Sequence, residues 1–124
     1  MSKRVVCIED EPEMIDLLRL ILTREGFEFI GARGGMRGLH AVQDYQPDII
    51  LLDLMMPDMD GWQVYDQLKK DAQTRQIPVI IVTARAQSDA KLLEMRVSRE
   101  AQFIMKPFSA PQLVALIRKT LSQA

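Results

Sequence analysis

Three uninterrupted apolar runs divide the chain, at residues 5–8 (VVCI), 49–52 (IILL) and 79–82 (VIIV). A strand covered on one face alternates apolar with polar residues, whereas a strand covered by helices on both faces need not. These runs therefore predict central strands of a parallel sheet. Two shorter and more mixed runs, 27–30 and 103–105, predict its edge strands.

Between the runs, apolar residues recur with the period of a helix. One stripe consists of Met14, Leu17, Leu18, Ile21 and Leu22, and another of Leu113, Leu116, Ile117 and Leu121. Pro12 suits the first turn of the earlier helix, and Gly26 suits its end.

Two polar pairs have the spacing of a capping box, in which a residue and the one three positions later bond to each other's backbone. Ser109 with Gln112 predicts the start of the last helix, and Asp60 with Gln63 predicts a helix that runs to about Lys70. Weaker helical patterns cover residues 35–45 and 88–99.

Strands and helices thus alternate five times, without an insertion long enough for a second domain. Right-handed crossovers and covered strands predict an α/β fold, a single (βα)5 unit over residues 1–124 with a doubly wound five-stranded parallel sheet. The order 2-1-3-4-5 is common in such sheets, and ligands bind outside the carboxyl ends of their strands.

Composition narrows the function classes. The 124 residues carry 16 Lys+Arg against 17 Asp+Glu, a net charge of −1, and 48% are hydrophobic, which is typical of a globular domain. Cys7 has no second cysteine to pair with, and no signal peptide or membrane-spanning stretch is present in the sequence. We expect a cytoplasmic protein with no membrane association and no direct binding to nucleic acid by this segment.

Chemistry-bearing residues follow four of the predicted strands. Glu9, Asp10 and Glu11 end the first run, Asp53 the third, Thr83 the fourth, and Lys106-Pro107 the fifth. In a parallel sheet these ends share one edge, so we expect a pocket of carboxylates, one hydroxyl and one ammonium. Close carboxylates repel each other, and a divalent cation between them relieves that repulsion. Mg²⁺ suits this position because it prefers oxygen ligands. Asp10 and Asp53 suit direct ligation, and Glu9 suits a ligand or a contact to metal-bound water.

Each of these residues also has an ordinary structural interpretation. Glu11 and Glu13 are better explained by favourable interaction with a helix N-terminus, and Asp58 and Asp60 as turn and cap residues. Thr83 taken alone is an ordinary strand end. It is the combination at four strand ends that favours a functional site.

Four stretches resemble the receiver (REC) domain of two-component response regulators, and the likeness covers essentially the whole chain. They are VVCIEDEPEM (5–14), PDIILLDLMMPDMDGWQV (47–64), IPVIIVTAR (77–85) and FIMKPF (103–108). The resemblance implies the flavodoxin-like, CheY-like fold. It also implies a phosphorylation-activated switch that takes a phosphoryl group from the phosphohistidine of a sensor kinase or phosphotransfer protein.

The resemblance also implies residue roles. Asp53 corresponds to the phosphoacceptor, and Glu9, Asp10, Asp53 and the Met55 backbone carbonyl to the ligands of Mg²⁺, with Mn²⁺ as a substitute. Thr83 and Lys106 correspond to phosphoryl contacts, Thr83 and Phe103 to switch residues, Met55 and Arg85 to positions that set the phosphoryl lifetime, and Lys106-Pro107 to a cis peptide.

In this family the downstream partner, or an output domain, reads the surface of the fourth helix, fifth strand and fifth helix, where a homodimer can also form. Here residues 97–102 lack the glycine that often precedes the fifth strand, so the fourth-helix exit is expected to differ. Arg96, Arg99, Arg118 and Lys119 could make this side mildly basic.

Two other functions stay open. A Mg²⁺-dependent phosphohydrolase resembling the haloacid dehalogenases would form the same aspartyl phosphate, but it usually places a second acid where Met55 stands, so no turnover of an external substrate is expected. A receiver that binds partners without phosphorylation would usually have lost the acceptor or the lysine, whereas Asp53 and Lys106 are both present.

Overall fold

A computed structural model describes residues 2–83 and 102–123. The five strands are β1 (Arg4–Glu9), β2 (Glu28–Arg33), β3 (Ile49–Asp53), β4 (Val79–Thr83) and β5 (Gln102–Met105). The described helices are α1 (Pro12–Arg24), α2 (Gly35–Tyr45), α3 (Gly61–Lys70) and the C-terminal α4 (Ala110–Gln123). The helix predicted over 88–99 lies outside the described residues.

The strands form one parallel sheet in the order β2-β1-β3-β4-β5, which confirms the predicted topology. Every residue of β3 and β4 is buried. The two edge strands are β2 and β5, as their mixed sequences indicated. Because β1 and β3 are neighbours although β2 lies between them in the chain, the order reverses beside the carboxyl ends of β1 and β3.

The second strand differs from its prediction. The apolar run predicted a strand over 27–30, but β2 covers Glu28–Arg33. Its bounds follow from pairing, because it lies level with β1 residue by residue, from Arg4 opposite Glu28 to Glu9 opposite Arg33. The partner strand therefore extends β2 beyond its apolar residues.

Successive strand residues point to opposite faces and supply two separate cores. The core beneath α1 and α4 includes Val5, Cys7, Leu18, Leu22, Leu51, Leu113 and Ile117. The core beneath α2 and α3 includes Val6, Ile8, Val42, Leu52, Val64, Tyr65 and Leu68. Both faces of the sheet are covered, which explains why its central strands show no alternation.

Helix ends agree with the sequence signals. Pro12 begins α1, and Gly26 follows its end with φ +90°, a conformation that glycine adopts at little cost. Both reciprocal bonds of the capping box are present at Asp60 with Gln63 and at Ser109 with Gln112. Within residues 2–83 and 102–123, no helix has the length and apolar character needed to cross a bilayer.

Candidate functional site

The carboxyl ends of β1 and β3 and the residue after β5 bring together Glu9, Asp53 and Lys106. Both carboxylate residues are buried, at 1% and 4% exposure. The Lys106 Nζ lies 2.9 Å from Glu9 Oε1 and 3.9 Å from Asp53 Oδ2. An ammonium thus joins two buried carboxylates from residues that are 44 or more positions apart in the chain.

Glu9 is the most firmly held member of this group. Its Oε1 accepts the bond from Lys106, while its Oε2 accepts hydrogen bonds from the backbone N–H groups of Asp10 (2.9 Å) and Glu11 (3.2 Å). Glu11 itself is the N-cap residue of α1, but its side chain makes no capping hydrogen bond. The carboxylate that holds the backbone of the β1–α1 connection is therefore that of Glu9, which the sequence did not predict.

Asp53 is placed differently. Its Oδ1 accepts a hydrogen bond from the Met55 N–H at 3.1 Å. Burial and the neighbouring Glu9 nevertheless raise the pKa of Asp53 from 3.8 to about 7, because the Met55 N–H and the Lys106 charge offset only part of these effects. In the metal-free protein this carboxyl group holds its proton up to near-neutral pH.

The ion pair between Glu9 and Lys106 is accompanied by a lowered pKa of Glu9 and a raised pKa of Lys106. Burial by itself would raise the pKa of Glu9, but the hydrogen bond from Lys106 and the contact with Asp53 lower it below its usual value. Burial by itself would lower the pKa of Lys106, but its bond to Glu9 and the charge of Asp53 raise it. Glu9 and Lys106 therefore both stay charged at neutral pH.

Asp10 adjoins this group at the start of the β1–α1 connection. It is partly buried, and its backbone carbonyl accepts a 3.2 Å hydrogen bond from Arg33 Nε. Among residues 2–83 and 102–123, no three or more His, Cys, Asp or Glu side chains lie in an arrangement that by itself could hold a metal. A Mg²⁺ site here would therefore rely on one or two carboxylates together with a carbonyl and water.

The donors fit that requirement. Magnesium commonly binds one or two carboxylates and keeps several waters. Glu9 and Asp53 provide buried oxygen atoms, and burial together with the neighbouring Glu9 raises the pKa of Asp53 although Lys106 lies beside it. A divalent cation would supply the missing positive charge.

The remaining predicted residues lie around this group. Thr83 ends β4, fully buried, and its carbonyl accepts the N–H of Lys106 at 2.9 Å. Met55 is 50% exposed beside Asp53. Phe103 in β5 is 37% exposed, and neither core as formed by residues 2–83 and 102–123 includes it. The Lys106-Pro107 peptide is cis, as the resemblance implied. Arg85 lies outside the described residues.

One contact near the site was missed by sequence reasoning. Asp58 was predicted to be a local turn or cap residue, but its carboxylate accepts hydrogen bonds from the N–H groups of Gly35 (3.1 Å) and Met36 (3.4 Å) at the start of α2. The available signal was Gly34, an N-cap residue without a side chain. It indicated that α2 needed an acceptor from elsewhere.

Two further sets of candidate contacts are local. Met59 and Trp62 are partly buried and pack against the core beneath α2 and α3. Arg118 pairs with Glu25 at 2.9 Å and lies over the ring of Phe27, so its charge is balanced within the domain. Arg96 and Arg99 lie outside the described residues.

Comparison with known proteins gives a consistent result. Residues 5–118 match the family model for the response regulator receiver domain. The chain is 35% identical over 124 residues to the response regulator GtcR of Aneurinibacillus migulanus, and spans 50% of that protein. It is also 35% identical to the polar-differentiation response regulator DivK of Brucella ovis, over 100% of both chains.

A solved structure shares the fold. The receiver domain of the sensor histidine kinase PA1611 from Pseudomonas aeruginosa, which holds a magnesium ion in its active site cleft, superposes with a TM-score of 0.88. The match is 21% identical and covers 98% of this chain and 99% of that one.

Proposed function

The chain belongs to the response regulator receiver domain family, and from that premise we propose that it is a signalling switch that accepts a phosphoryl group on Asp53 from a phosphohistidine donor. Receiver domains act in two-component signalling as switches rather than as enzymes that turn over an external substrate. The chain spans about half the length of GtcR and the whole of DivK. We propose that residues 1–124 form one receiver domain, which either acts by itself or serves an output domain.

The observation that carries the proposal is the Glu9–Lys106–Asp53 group. In transfer, an Asp53 oxygen attacks phosphorus, the O–P bond forms, and the P–N bond of the donor imidazole breaks. Negative charge on the phosphoryl oxygens must be balanced in the transition state. The Lys106 Nζ lies 2.9 Å from Glu9 Oε1, which holds it in place, and 3.9 Å from Asp53 Oδ2. Lys106 therefore provides a positive charge beside the acceptor.

Mg²⁺, for which Mn²⁺ could substitute, is the proposed cofactor. We assign its direct ligands to Asp10, Asp53 and the Met55 carbonyl, and we assign Glu9 to a metal-bound water. When bound, the ion would supply positive charge to the phosphoryl oxygens and would favour the ionised form of Asp53, whose proton would pass to water. The magnesium in the cleft of the PA1611 receiver domain supports this proposal by analogy.

The lifetime of the product depends on access by water, since an acyl phosphate hydrolyses readily. We assign this control to Met55 and Arg85. The half-exposed side chain of Met55 beside Asp53 supports its share of the role.

Thr83 and Phe103 are the proposed switch residues. The Thr83 carbonyl accepts a hydrogen bond from the Lys106 N–H, and Phe103 is exposed on the neighbouring edge strand. Its movement would alter the surface of β5, the C-terminal helix α4 and the segment before β5, which a downstream partner, an output domain or a second copy could read. Coupling of about 1–3 kcal/mol is typical for such a switch.

Two alternatives make different predictions. A phosphohydrolase that resembles the haloacid dehalogenases usually carries a second acid two positions after the nucleophile, where this chain has the exposed Met55. A phosphorylation-independent module has no need for the buried carboxylate pair and lysine.

The location in the cytoplasm stays a prediction.

A labelling experiment tests the proposal. The protein is incubated with Mg²⁺ and acetyl phosphate or phosphoramidate, and its intact mass is measured. We expect wild type to gain one phosphoryl group and Asp53→Asn to gain none. The matched control Asp60→Asn, which changes an exposed capping aspartate seven positions along, should label like wild type. Equal labelling of wild type and Asp53→Asn would overturn the proposal.

A further inference from the structure

The start of α2 lacks a capping side chain of its own. Its N-cap residue is Gly34, with φ +94° and ψ 162°, a backbone conformation open almost exclusively to glycine. The first N–H groups of a helix have no partners within the helix and carry partial positive charge. An acceptor must therefore come from outside the helix, and the structure supplies it from a different connection.

That acceptor is Asp58, in the loop between β3 and α3. Its two carboxylate oxygens accept the N–H groups of Gly35 and Met36 at 3.1 and 3.4 Å. The fit is close, because a Cβ on Gly34 would lie 2.9 Å from Asp58 Oδ2. The absence of a side chain at Gly34 thus creates both the need for the carboxylate and the space for it.

The same loop carries the backbone that borders the acceptor. Residues 54–60 include Met55, whose N–H bonds to Asp53 Oδ1. At its ends the loop is fastened within its own β3–α3 unit, by the Gly61 N–H to the Leu54 carbonyl at 3.2 Å and by the Asp60 capping box. The Asp58 contact differs because it joins the middle of the loop to another unit.

The start of α2 is in turn joined to the strand end that carries Glu9. The Gly34 N–H donates to the Glu9 carbonyl at 3.3 Å. A continuous path of hydrogen bonds therefore runs from Glu9 through residues 34–36 to Asp58. It links the two connections that supply the proposed metal ligands.

We propose that Asp58 is a positioning residue for the metal site: its bonds to the start of α2 fix where the Met55 carbonyl lies relative to Glu9 and Asp53. The inference rests on the proposed function, because it concerns the affinity of that site for Mg²⁺. Asp58 is not among the proposed ligands. It acts by holding the loop.

Calorimetric titration of the metal-free protein with MgCl₂ tests this, at constant pH and ionic strength. Outer contacts of metal ligands typically change affinity by about 10–100-fold, and we expect Asp58→Ala to weaken Mg²⁺ binding by about 5–10-fold, at or just below that range. Asp58→Asn keeps an acceptor in place without the charge and should weaken binding by less than about twofold, since exposed charges are screened by salt. Asp58→Glu keeps the charge but misplaces the oxygens, so it should weaken binding severalfold.

Ile117→Val is the control for a general loss of stability. Ile117 is fully buried in the core on the other face of the sheet, so this variant should unfold at a lower temperature and bind Mg²⁺ like wild type. If Asp58→Ala does not fold, the contrast between Asp58→Asn and Asp58→Glu still decides the matter.

Wild-type affinity in all three Asp58 variants would overturn the inference and leave the proposed function intact. Weak binding by Asp58→Asn with normal binding by Asp58→Glu would also overturn it, because charge rather than position would then control affinity. Failure of wild type to bind Mg²⁺ or to take up a phosphoryl group would instead reject the proposed function.

Discussion

Glu9, Asp53 and Lys106 form a group whose charges cannot all be balanced by one another. One ammonium faces two carboxylates that are almost entirely removed from water. Hydrogen bonding decides which carboxylate is ionised. Glu9 accepts hydrogen bonds from Lys106 and from two backbone N–H groups, whereas Asp53 accepts one from a backbone N–H. The proton therefore stays on Asp53, the residue proposed to react.

This arrangement makes the stability of the metal-free protein depend on pH. The pKa of Asp53 is raised from 3.8 to about 7. Between these two pH values the folded protein therefore holds a proton on Asp53 that the unfolded chain has lost. The stabilisation from Asp53 is therefore complete below about pH 4 and is lost as pH rises through 7. The opposite shift of Glu9 affects stability only below its usual pKa.

We expect the free energy of unfolding, measured with urea in a chelator, to fall by about 1–3 kcal/mol between pH 5 and 8. Asp53→Asn should remove most of that slope, because an amide does not titrate. The difference between the two proteins isolates the contribution of Asp53. Parallel pH curves for wild type and the variant would contradict the assignment of the raised pKa.

At the scale of elements, helix α3 is placed by a close contact with the acceptor loop. A Cβ on Gly61 would lie 2.4 Å from the Leu54 Cα and 2.7 Å from the Asp53 carbonyl oxygen, both of them backbone atoms that cannot rotate away. The first residue of α3 can therefore be this close to β3 only if it has no side chain. The distance between the helix and the acceptor depends on Gly61.

We expect Gly61→Ala to lower the free energy of unfolding by about 1–3 kcal/mol, because overpacking forces the backbone apart. It should also slow labelling of Asp53 by acetyl phosphate, since the acceptor strand end must shift. Gly26→Ala is the matched control, because it strains a left-handed residue in open space and should lower stability with no effect on labelling. Unchanged labelling in Gly61→Ala would show that the acceptor tolerates the displacement.

The sequence predicts elements well where their signals are local. The predictions of helix ends are confirmed at both capping boxes, at Pro12 and at Gly26, because each of these signals acts within one turn of its own helix. The bounds of β2 and the role of Asp58 were not predictable in this way. The first depends on pairing with β1 over Arg4–Glu9, and the second on a carboxylate 22 and 23 positions away from the N–H groups that it accepts.

At the scale of the whole molecule, the runs of apolar residues predicted the parallel sheet, and the confirmed strand order is one that is common in such sheets. A parallel sheet brings Glu9, Asp53 and Lys106 to one edge. Their partners did not follow from the sequence. The ion pair of Lys106 with Glu9, closer than its contact with Asp53, depends on side-chain positions within a shared pocket. Topology could predict which residues gather there, but not which oxygen each one bonds.

Metal binding should stabilise the entire domain, because the ligands come from distant segments that the unfolded chain does not hold together. With Mg²⁺ at about 100 times its dissociation constant, linkage predicts a gain of about 2.7 kcal/mol in the free energy of unfolding. We expect this gain in urea denaturation at pH 8 and a smaller one at pH 5, where the ion must displace the proton on Asp53.

Asp53→Asn should lose most of the gain at pH 8. CaCl₂ at the same concentration serves as a comparison, because the larger ion prefers more ligands and longer distances. An equal gain at both pH values, or in Asp53→Asn, would show that Mg²⁺ acts elsewhere on the protein.

The common direction of the strands has an electrostatic consequence. In this sheet α1, α2, α3 and α4 each begin on the side where the strands end. A helix carries roughly half a positive charge at its first turn and half a negative charge at its last, so the domain has a built-in polarity. A dianion bound at the edge where the strands end is therefore favoured by the first turns of nearby helices as well as by Lys106, whereas one at the opposite edge would face the negative helix ends.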